Sequence, residues 1–252
     1  TVDGVAFNYI VKDSTTITPN DGVYTFSNLP VYEGTLVNNT FTVDTTNADQ
    51  RFLIKNALAD TTTLKVTVQN SSTDSTSSTY TLSSDLADIS STSKIYFLEG
   101  AEDQQYEVKF GDGVLGAALS TGNIVTLSYI VTSAEESNGA SSFSLSGSIG
   151  GFSNVTITTA TNSVNGAQPE TPDSIRFNAP KQYAAQNRTV TTNDYASKVK
   201  QIYTNAKSVQ VWGGEDNDTP VYGRVYISIK PVAGATLTET TKTDIITQLK
   251  DF

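Results

Sequence analysis

The sequence predicts an α+β chain, mostly β: a β-sandwich or barrel-like N-terminal region followed by a helix–strand–strand–helix module. Three observations carry this. Short segments in which apolar and polar residues alternate recur through residues 1–165, with turn clusters between them. Ser and Thr fill roughly a quarter of all positions, and many Thr alternate with Val, Ile, Leu or Tyr, as suits half-exposed strands. Beyond residue 166 the spacing of apolar residues changes to that of capped helices.

The predicted strands are 23–26, 40–43, 64–68, 80–82, 94–98, 106–110, 124–131 and 155–159. Alternation puts Tyr106, Val108 and Phe110 on one face of their strand, with Glu107 and Lys109 on the other. Val125, Leu127, Tyr129 and Val131 likewise share a face. The polar run 70–79, NSSTDSTSST, reads as a long exposed loop, or a locally mobile one. The division expected is a β module formed by 1–48 with 138–165, a second β module at 49–137 in the position of an insertion, and an α+β module at 166–252.

In the last module Thr171, Pro172 and Asp173 mark a helix start, and Pro180 should end that helix near Asn178. Thr191 and Asp194 fit a capping box. Tyr195, Val199, Ile202 and Tyr203 then form an apolar face, with Asn205 closing the helix. Strands follow at 208–212 and 221–230, joined by a loop at 213–220. Pro231 and Gly234 break the chain before a last helix starting around Thr238, with Ile245, Ile246 and Leu249 facing inward. The chain begins at Thr1, contains no Met and reaches Phe252 inside the helical pattern, as expected for an internal piece, truncated at its C-terminus, of a longer protein.

Several function classes are disfavoured by composition. Net charge is −10 and there is no run of Lys or Arg, so the electrostatic footprint of a nucleic-acid binder is missing. No apolar stretch approaches the roughly 20 residues of a membrane helix. With no Cys there is no disulfide, and with no His the commonest general base and metal ligand are gone.

The most conspicuous motif is Phe110-Gly111-Asp112-Gly113-Val114-Leu115-Gly116, which contains G-x-G-x-x-G. A dinucleotide-binding loop needs a helix after the glycines. Only AALS separates Gly116 from Thr121-Gly122-Asn123, and a strand begins at once. Asp112 would also turn negative charge toward a phosphate. The expectation is therefore a structural turn, with Asp112-Gly113 as a type I′ hairpin between paired strands and Gly116 and Gly122 permitting a second bend.

The stretch YEVKFGDGVLG…TGNIVTLSY resembles the hairpin signature of the baseplate J-like family of contractile-tailed phages and related injection machines. IRFNAP at 175–180, NRTVTTNDY at 187–195 and SVQVWGG at 208–214 resemble that family's next segments, in order. The likeness runs from about Tyr106 to the C-terminus and is strongest toward the wedge-subunit branch in T-even-type phages. It implies a structural subunit rather than an enzyme, without cofactor or metal. The partners implied are a second copy of itself, through homodimer and ring contacts, and neighbouring baseplate wedge subunits. Neither nucleic acid nor membrane is implied. The location implied is the tail baseplate of the virion, assembled in the host cytoplasm.

Other constellations have plainer readings. Glu215, Asp216 and Asp218 lack the Gly and distal Glu of a calcium loop and read as a solvated hairpin loop. Glu102-Asp103 and Glu135-Glu136 are adjacent acids that point to different faces, so neither pair alone could flank a glycosidic bond. Arg188 is expected to pair with Asp194, the alternative being a partner's carboxylate. Tyr183, Arg188, Trp212 and Tyr222 are the candidate interface residues, since interfaces favour Tyr, Trp and Arg. The rival reading is a glycan-binding β protein of a virion or cell surface, which the Thr/Ser-rich strands and many Tyr would also suit; a glycosidase using two distant acids is a third.

Overall fold

The computed structural model describes the chain apart from residues 1, 3, 84–88, 187, 204, 233–235, 251 and 252 and the side chain of residue 240. Gly234, expected as a chain break, and Asn187, the first residue of one family-like block, lie outside the described residues. The chain divides into two compact units, Thr1–Asn162 and Ser163–Phe252.

Among its described residues the first unit is built from β-strands, with a single short 3-10 turn at Glu102–Gln104. Its strands are β1 (Tyr9–Ile10), β2 (Tyr32–Glu33), β3 (Thr35–Thr42), β4 (Phe52–Ile54), β5 (Ala59–Gln69), β6 (Ser77–Leu82), β7 (Ile95–Gly100), β8 (Tyr106–Phe110) and β9 (Ile124–Val131). β1 and β2 form a small antiparallel pair. The other seven form one sheet in the order β3-β9-β5-β6-β7-β8-β4, antiparallel except between β6 and β7. The sheet curls into a nearly closed barrel. Its two edge strands meet through side chains, Phe41 of β3 standing edge-on to Phe52 of β4 at 5.5 Å. Phe52 meets Phe110 at 5.3 Å, and Phe110 meets Tyr80 at 5.5 Å, again edge-on. Such pairs contribute about 0.5–1.5 kcal/mol each beyond area burial.

Alternation fills the barrel. Ile54, Val66, Val108, Val125, Leu127 and Tyr129 are almost wholly buried in one cluster, with Tyr106, Phe110 and Val131 packed against it. On the outer face of β8, Glu107 accepts from Arg51 at 2.7 Å and Lys109 reaches Glu99 at 2.6 Å. The expected faces of β8 and β9 are thus the inner and outer walls of the barrel. β3 belongs to the expected 1–48 module and its partner β9 to the expected 49–137 module, so that boundary runs through a continuous ladder from Thr35↔Val131 to Thr42↔Ile124.

Thr63 repairs a break in the sheet. β5 slips register against β9 between Asp60 and Lys65. Thr63, only 3% exposed, sits in the gap. Its hydroxyl donates to the Asp60 carbonyl at 2.6 Å and accepts from the Ile130 amide at 3.0 Å. Two backbone groups that lost ladder partners are satisfied by one side chain.

Several strand and loop expectations change. Residues 23–26 and 155–159 form no ladder; Val23 makes only a bridge to Asn20, and Tyr24 and Ile157 are exposed. Alternation alone gives a strand no hydrogen-bond partner. The run 70–79 is no long loop. Asp74 gathers a short turn by accepting from the Asn70 side-chain amide at 2.7 Å and the Thr76 amide at 2.9 Å, and β6 begins at Ser77. β1, β2 and β4 were not expected, being too short for alternation to register.

The second unit holds α1 (Pro172–Ala185), α2 (Thr192–Ile202), β10 (Ala206–Gly213), β11 (Val225–Pro231) and α3 (Glu239–Leu249). β10 and β11 pair antiparallel, and α2 packs against β10, α1 and α3. Val199 of α2 is fully buried, and Ile245 of α3 nearly so. Ile246, expected inward, is 56% exposed. It stands about 100° around the helix from Ile245, whereas half-buried Leu249 lies one turn on, on the same side. Thr238 caps α3 by accepting from the Thr241 amide at 3.2 Å.

α1 corrects another expectation. Thr171 caps it and Pro172 opens it, but Pro180 lies inside the helix, which runs on to Ala185. An internal proline removes one backbone bond and typically costs about 3 kcal/mol. Its ring stands here on an exposed stretch, where the unpaired Arg176 carbonyl can be hydrated. The second strand of the module also starts later than expected, since 221–224 form a turn before β11.

Candidate functional site

The glycine motif after β8 joins two strands that are not partners. β8 pairs with β7 and β4, whereas β9 pairs with β3 and β5. The expected hairpin is therefore a crossing connector. Asp112 is not at positive φ, which rules out the type I′ turn; Gly113 (φ 88°) and Gly116 (φ 87°) are. In place of that turn, one Asp112 carboxylate oxygen accepts the Val114 and Leu115 amides, both at 2.9 Å. Those bonds hold its carboxyl below the ordinary value, the Leu115 amide first. The Gly113 amide donates to the Gly116 carbonyl at 3.0 Å. The loop then docks on a neighbouring turn, with the Gly116 amide donating to Ser90 O at 3.1 Å and the Ala117 amide to Ser93 O at 2.8 Å. No helix leaves the glycines, and the amide donors that would face a phosphate are occupied by Asp112 and Ser90. Phe110, before the motif, points its ring into the barrel against Phe52 and Tyr80.

In the second unit Thr191 and Asp194 close a reciprocal capping box: the Thr191 hydroxyl accepts the Asp194 amide at 3.3 Å, and the Asp194 carboxylate accepts the Thr191 amide at 2.8 Å. The Thr191 amide is the chief reason the Asp194 carboxyl is held low. Arg188 does not make the expected pair with Asp194. Its guanidinium donates to Gln186 Oε1 at 2.7 Å, and it acts on Asp194 only as a weak, more distant charge. Tyr195 and Tyr203 are half-buried rather than core, and burial pushes the Tyr203 hydroxyl up.

The candidate interface residues fall into two kinds. Trp212 is committed to its own unit: it stacks on Tyr226, directly opposite on β11, at 5.8 Å and 13°, and its indole N–H donates to Asn217 Oδ1 at 2.9 Å. Tyr183 and Tyr222 are 86% and 81% exposed.

Tyr183 belongs to a helix built inside out. The residues α1 turns inward are Ser174, Asn178 and Ala185, and Ser174 and Asn178 both donate to Glu170 Oε1. Ile175, Ala179 and Tyr183 follow one another at i, i+4, i+8 on the other side, all exposed. Phe177 is exposed on a different flank of the helix, with the Lys181 ammonium 3.4 Å from its ring centre. No described residue of α1 is buried. A helix of this length is marginal on its own, and this one also contains a proline.

The acidic clusters stay apart. Glu102 and Asp103 lie in a short 3-10 turn, Glu135 and Glu136 on an exposed bend, and Glu215 and Asp216 in a second 3-10 turn with exposed Asp218 beyond it. Among the described residues no group of three or more carboxylates converges as metal ligands would. Nor, among the described residues, is any helix long and apolar enough to cross a membrane. Sequence reasoning missed Thr63, the Arg51–Glu107 pair and Glu33, whose carboxylate accepts the Ser133 amide and hydroxyl at 2.9 and 3.0 Å. These are long-range pairings that follow from topology, and the local sequence holds no signal for them.

Residues 191–252, from the α2 cap onward, match the family described as baseplate structural protein gp6, C-terminal domain I. The chain is also 27% identical over 188 residues to baseplate wedge protein gp6 of Enterobacteria phage T4, an alignment covering 64% of this chain. It spans 27% of that relative's length. The two likenesses relate this chain to a phage baseplate wedge protein.

Proposed function

We propose that the chain is a structural subunit of a phage tail baseplate wedge, located in the virion, whose work is to hold other subunits in place. The likeness to the T4 wedge protein carries this reading, because it extends over most of the chain and is joined by a separate family match from Thr191 onward. Membership in the baseplate J-like family, pairing with a second copy and ring contacts between wedges belong to the same proposal. Physical support comes from the second unit, where Phe177, Tyr183 and Tyr222 hold large apolar side chains in solvent. Tyr183, Arg188 and Tyr222 are the residues proposed to touch partners, whereas Trp212 shapes its own strand pair. The reading asks for no substrate, cofactor, nucleic acid or membrane.

The test is reconstitution. The chain, within its full-length protein, is mixed with the neighbouring wedge subunits, and the product is imaged by electron microscopy. Density for both of its units inside the wedge is the expected result. A chain that stays outside wedges that assemble without it, or that instead binds a glycan panel saturably, overturns the proposal.

A further inference from the structure

Asparagine is a chemically labile side chain, and a following glycine makes it more so. Glycine has no Cβ, so its backbone nitrogen approaches the asparagine Cγ with little hindrance. The sequence holds this pair twice, at Asn138-Gly139 and at Asn165-Gly166.

The fold gives the two pairs different surroundings. Asn138 is half-buried in a turn. Its backbone amide donates to the Glu135 carbonyl at 3.0 Å, and the Ala140 amide donates to the Ser137 carbonyl at 3.3 Å. Ser137 is 3% exposed and Ala140 1%, so the turn is clamped on both sides of the pair. Asn165 is exposed, with φ 71°, in a stretch from 163 to 171 that is neither helix nor strand. Ring closure requires the backbone to rotate until the glycine nitrogen faces the asparagine Cγ. A turn with buried neighbours resists that rotation, whereas an exposed irregular stretch opens to it at low cost.

We propose that Asn165 is a site of spontaneous deamidation in the folded protein, and that its turn protects Asn138. The Gly166 backbone nitrogen gives up its proton to solvent base and attacks the Asn165 Cγ. A bond forms between these two atoms and the Cγ–Nδ2 bond breaks. The departing nitrogen takes a proton from solvent and leaves as ammonia, and a five-membered cyclic imide remains. Water then adds to either imide carbonyl and opens the ring. One opening leaves aspartate; the other leaves isoaspartate, whose main chain runs through the former side chain. Nothing is oxidised or reduced. Either product places a negative charge where none stood. Residues 163–252 carry 10 Lys and Arg against 9 Asp and Glu, a net +1, so the second unit becomes neutral. This chemistry is independent of the assembly reading.

The experiment uses the whole chain, held at mildly alkaline pH with and without guanidinium chloride and cleaved with chymotrypsin at intervals. Phe143 and Phe152 lie between the two asparagines, so each falls in its own peptide. Mass spectrometry reads the small gain from amide to acid, and chromatography separates aspartate from isoaspartate. In the native chain the peptide holding Asn165 is expected to convert several-fold faster than the one holding Asn138. It should yield both products and react faster as pH rises. In denaturant the two rates should come together, because the turn around Asn138 is gone. Equal native rates, faster conversion at Asn138, no native conversion at Asn165, or aspartate without isoaspartate overturns the proposal. A difference that persists undiminished in denaturant shows that flanking sequence sets it, and overturns the protection of Asn138. Gly166→Ala adds a Cβ at the attacking residue and should slow conversion at Asn165 several-fold while leaving Asn138 unchanged. An unaltered rate at Asn165 in this variant overturns attack by that nitrogen.

Discussion

Gly111 lies against the backbone of Gly116. A Cβ placed on Gly111 would come within 2.5 Å of both the Gly116 and Leu115 carbonyl oxygens, closer than real carbon atoms approach. Gly111 is not at positive φ, so its reason for being glycine is space. Gly113 is the reverse case: it has φ 88°, but a Cβ there would meet only the Ala118 methyl, at an ordinary 3.6 Å. Gly111→Ala should therefore destabilise the first unit by about 1–3 kcal/mol, the usual range for overpacking. Gly113→Val should cost about 1–2 kcal/mol through conformation alone. Urea melts of the two variants separate the causes. Gly111→Ala unfolding at the wild-type midpoint would show that the backbones are not in contact.

Thr63 should be as sensitive as a core residue although it is polar. Thr63→Val keeps the volume but leaves the Ile130 amide and the Asp60 carbonyl without their partner. A buried group stripped of its bond costs about 1–3 kcal/mol. Thr63→Ser retains the hydroxyl and should lose appreciably less. Equal loss in the two variants would mean that the methyl group, not the bond, matters. Hydrogen exchange at Ile130 gives a local reading of the same question.

What could be read in advance follows from the range of each interaction. The faces of β8 and β9 were legible because alternation is a property of neighbouring residues, and so was the Thr191 cap, whose partner is three positions away. The fate of Pro180 was not legible, because whether a helix tolerates a proline depends on what surrounds that turn. Nor was the connector after Phe110: the Asp-Gly pair correctly signals a bend, but which strands the bend joins is set by the closing of the barrel. Thr63 and Arg51 are legible only once the register is known. For the candidate interface the sequence yields residue types, and exposure then separates Tyr183 and Tyr222 from Trp212.

Thr191→Ala should lower the stability of the second unit by about 1 kcal/mol, the common cost of a lost N-cap. The loss should be felt first in the opening turn of α2, where the Asp194 amide loses its acceptor. Arg188→Ala should leave that turn unchanged, because Arg188 bonds Gln186 instead. Amide exchange through 191–196 distinguishes the two. Faster exchange in Arg188→Ala would restore the Arg188–Asp194 pair that the sequence suggested.

Acid should destabilise the fold through a small set of bonded carboxylates. Asp112 is held low by the Leu115 and Val114 amides, Asp194 by the Thr191 amide, Asp74 by the Asn70 side chain and Glu107 by Arg51. Their ordinary values are 3.8 for the aspartates and 4.5 for Glu107. As pH falls, the unfolded chain takes up these protons first, so the slope of stability against pH is positive in this window. The contribution is fully present above the ordinary values and disappears as pH drops through the lower, folded ones. All four groups are solvent-accessible, so each effect is modest and reduced by salt. Stability should be level from neutral pH to about 5 and decline below about 4. Asp112→Asn still offers an acceptor to the two amides but cannot titrate there, so its decline in acid should be shallower than that of the wild type. Denaturant titrations across this range, run on both proteins, test the assignment: parallel curves would remove Asp112 from the set.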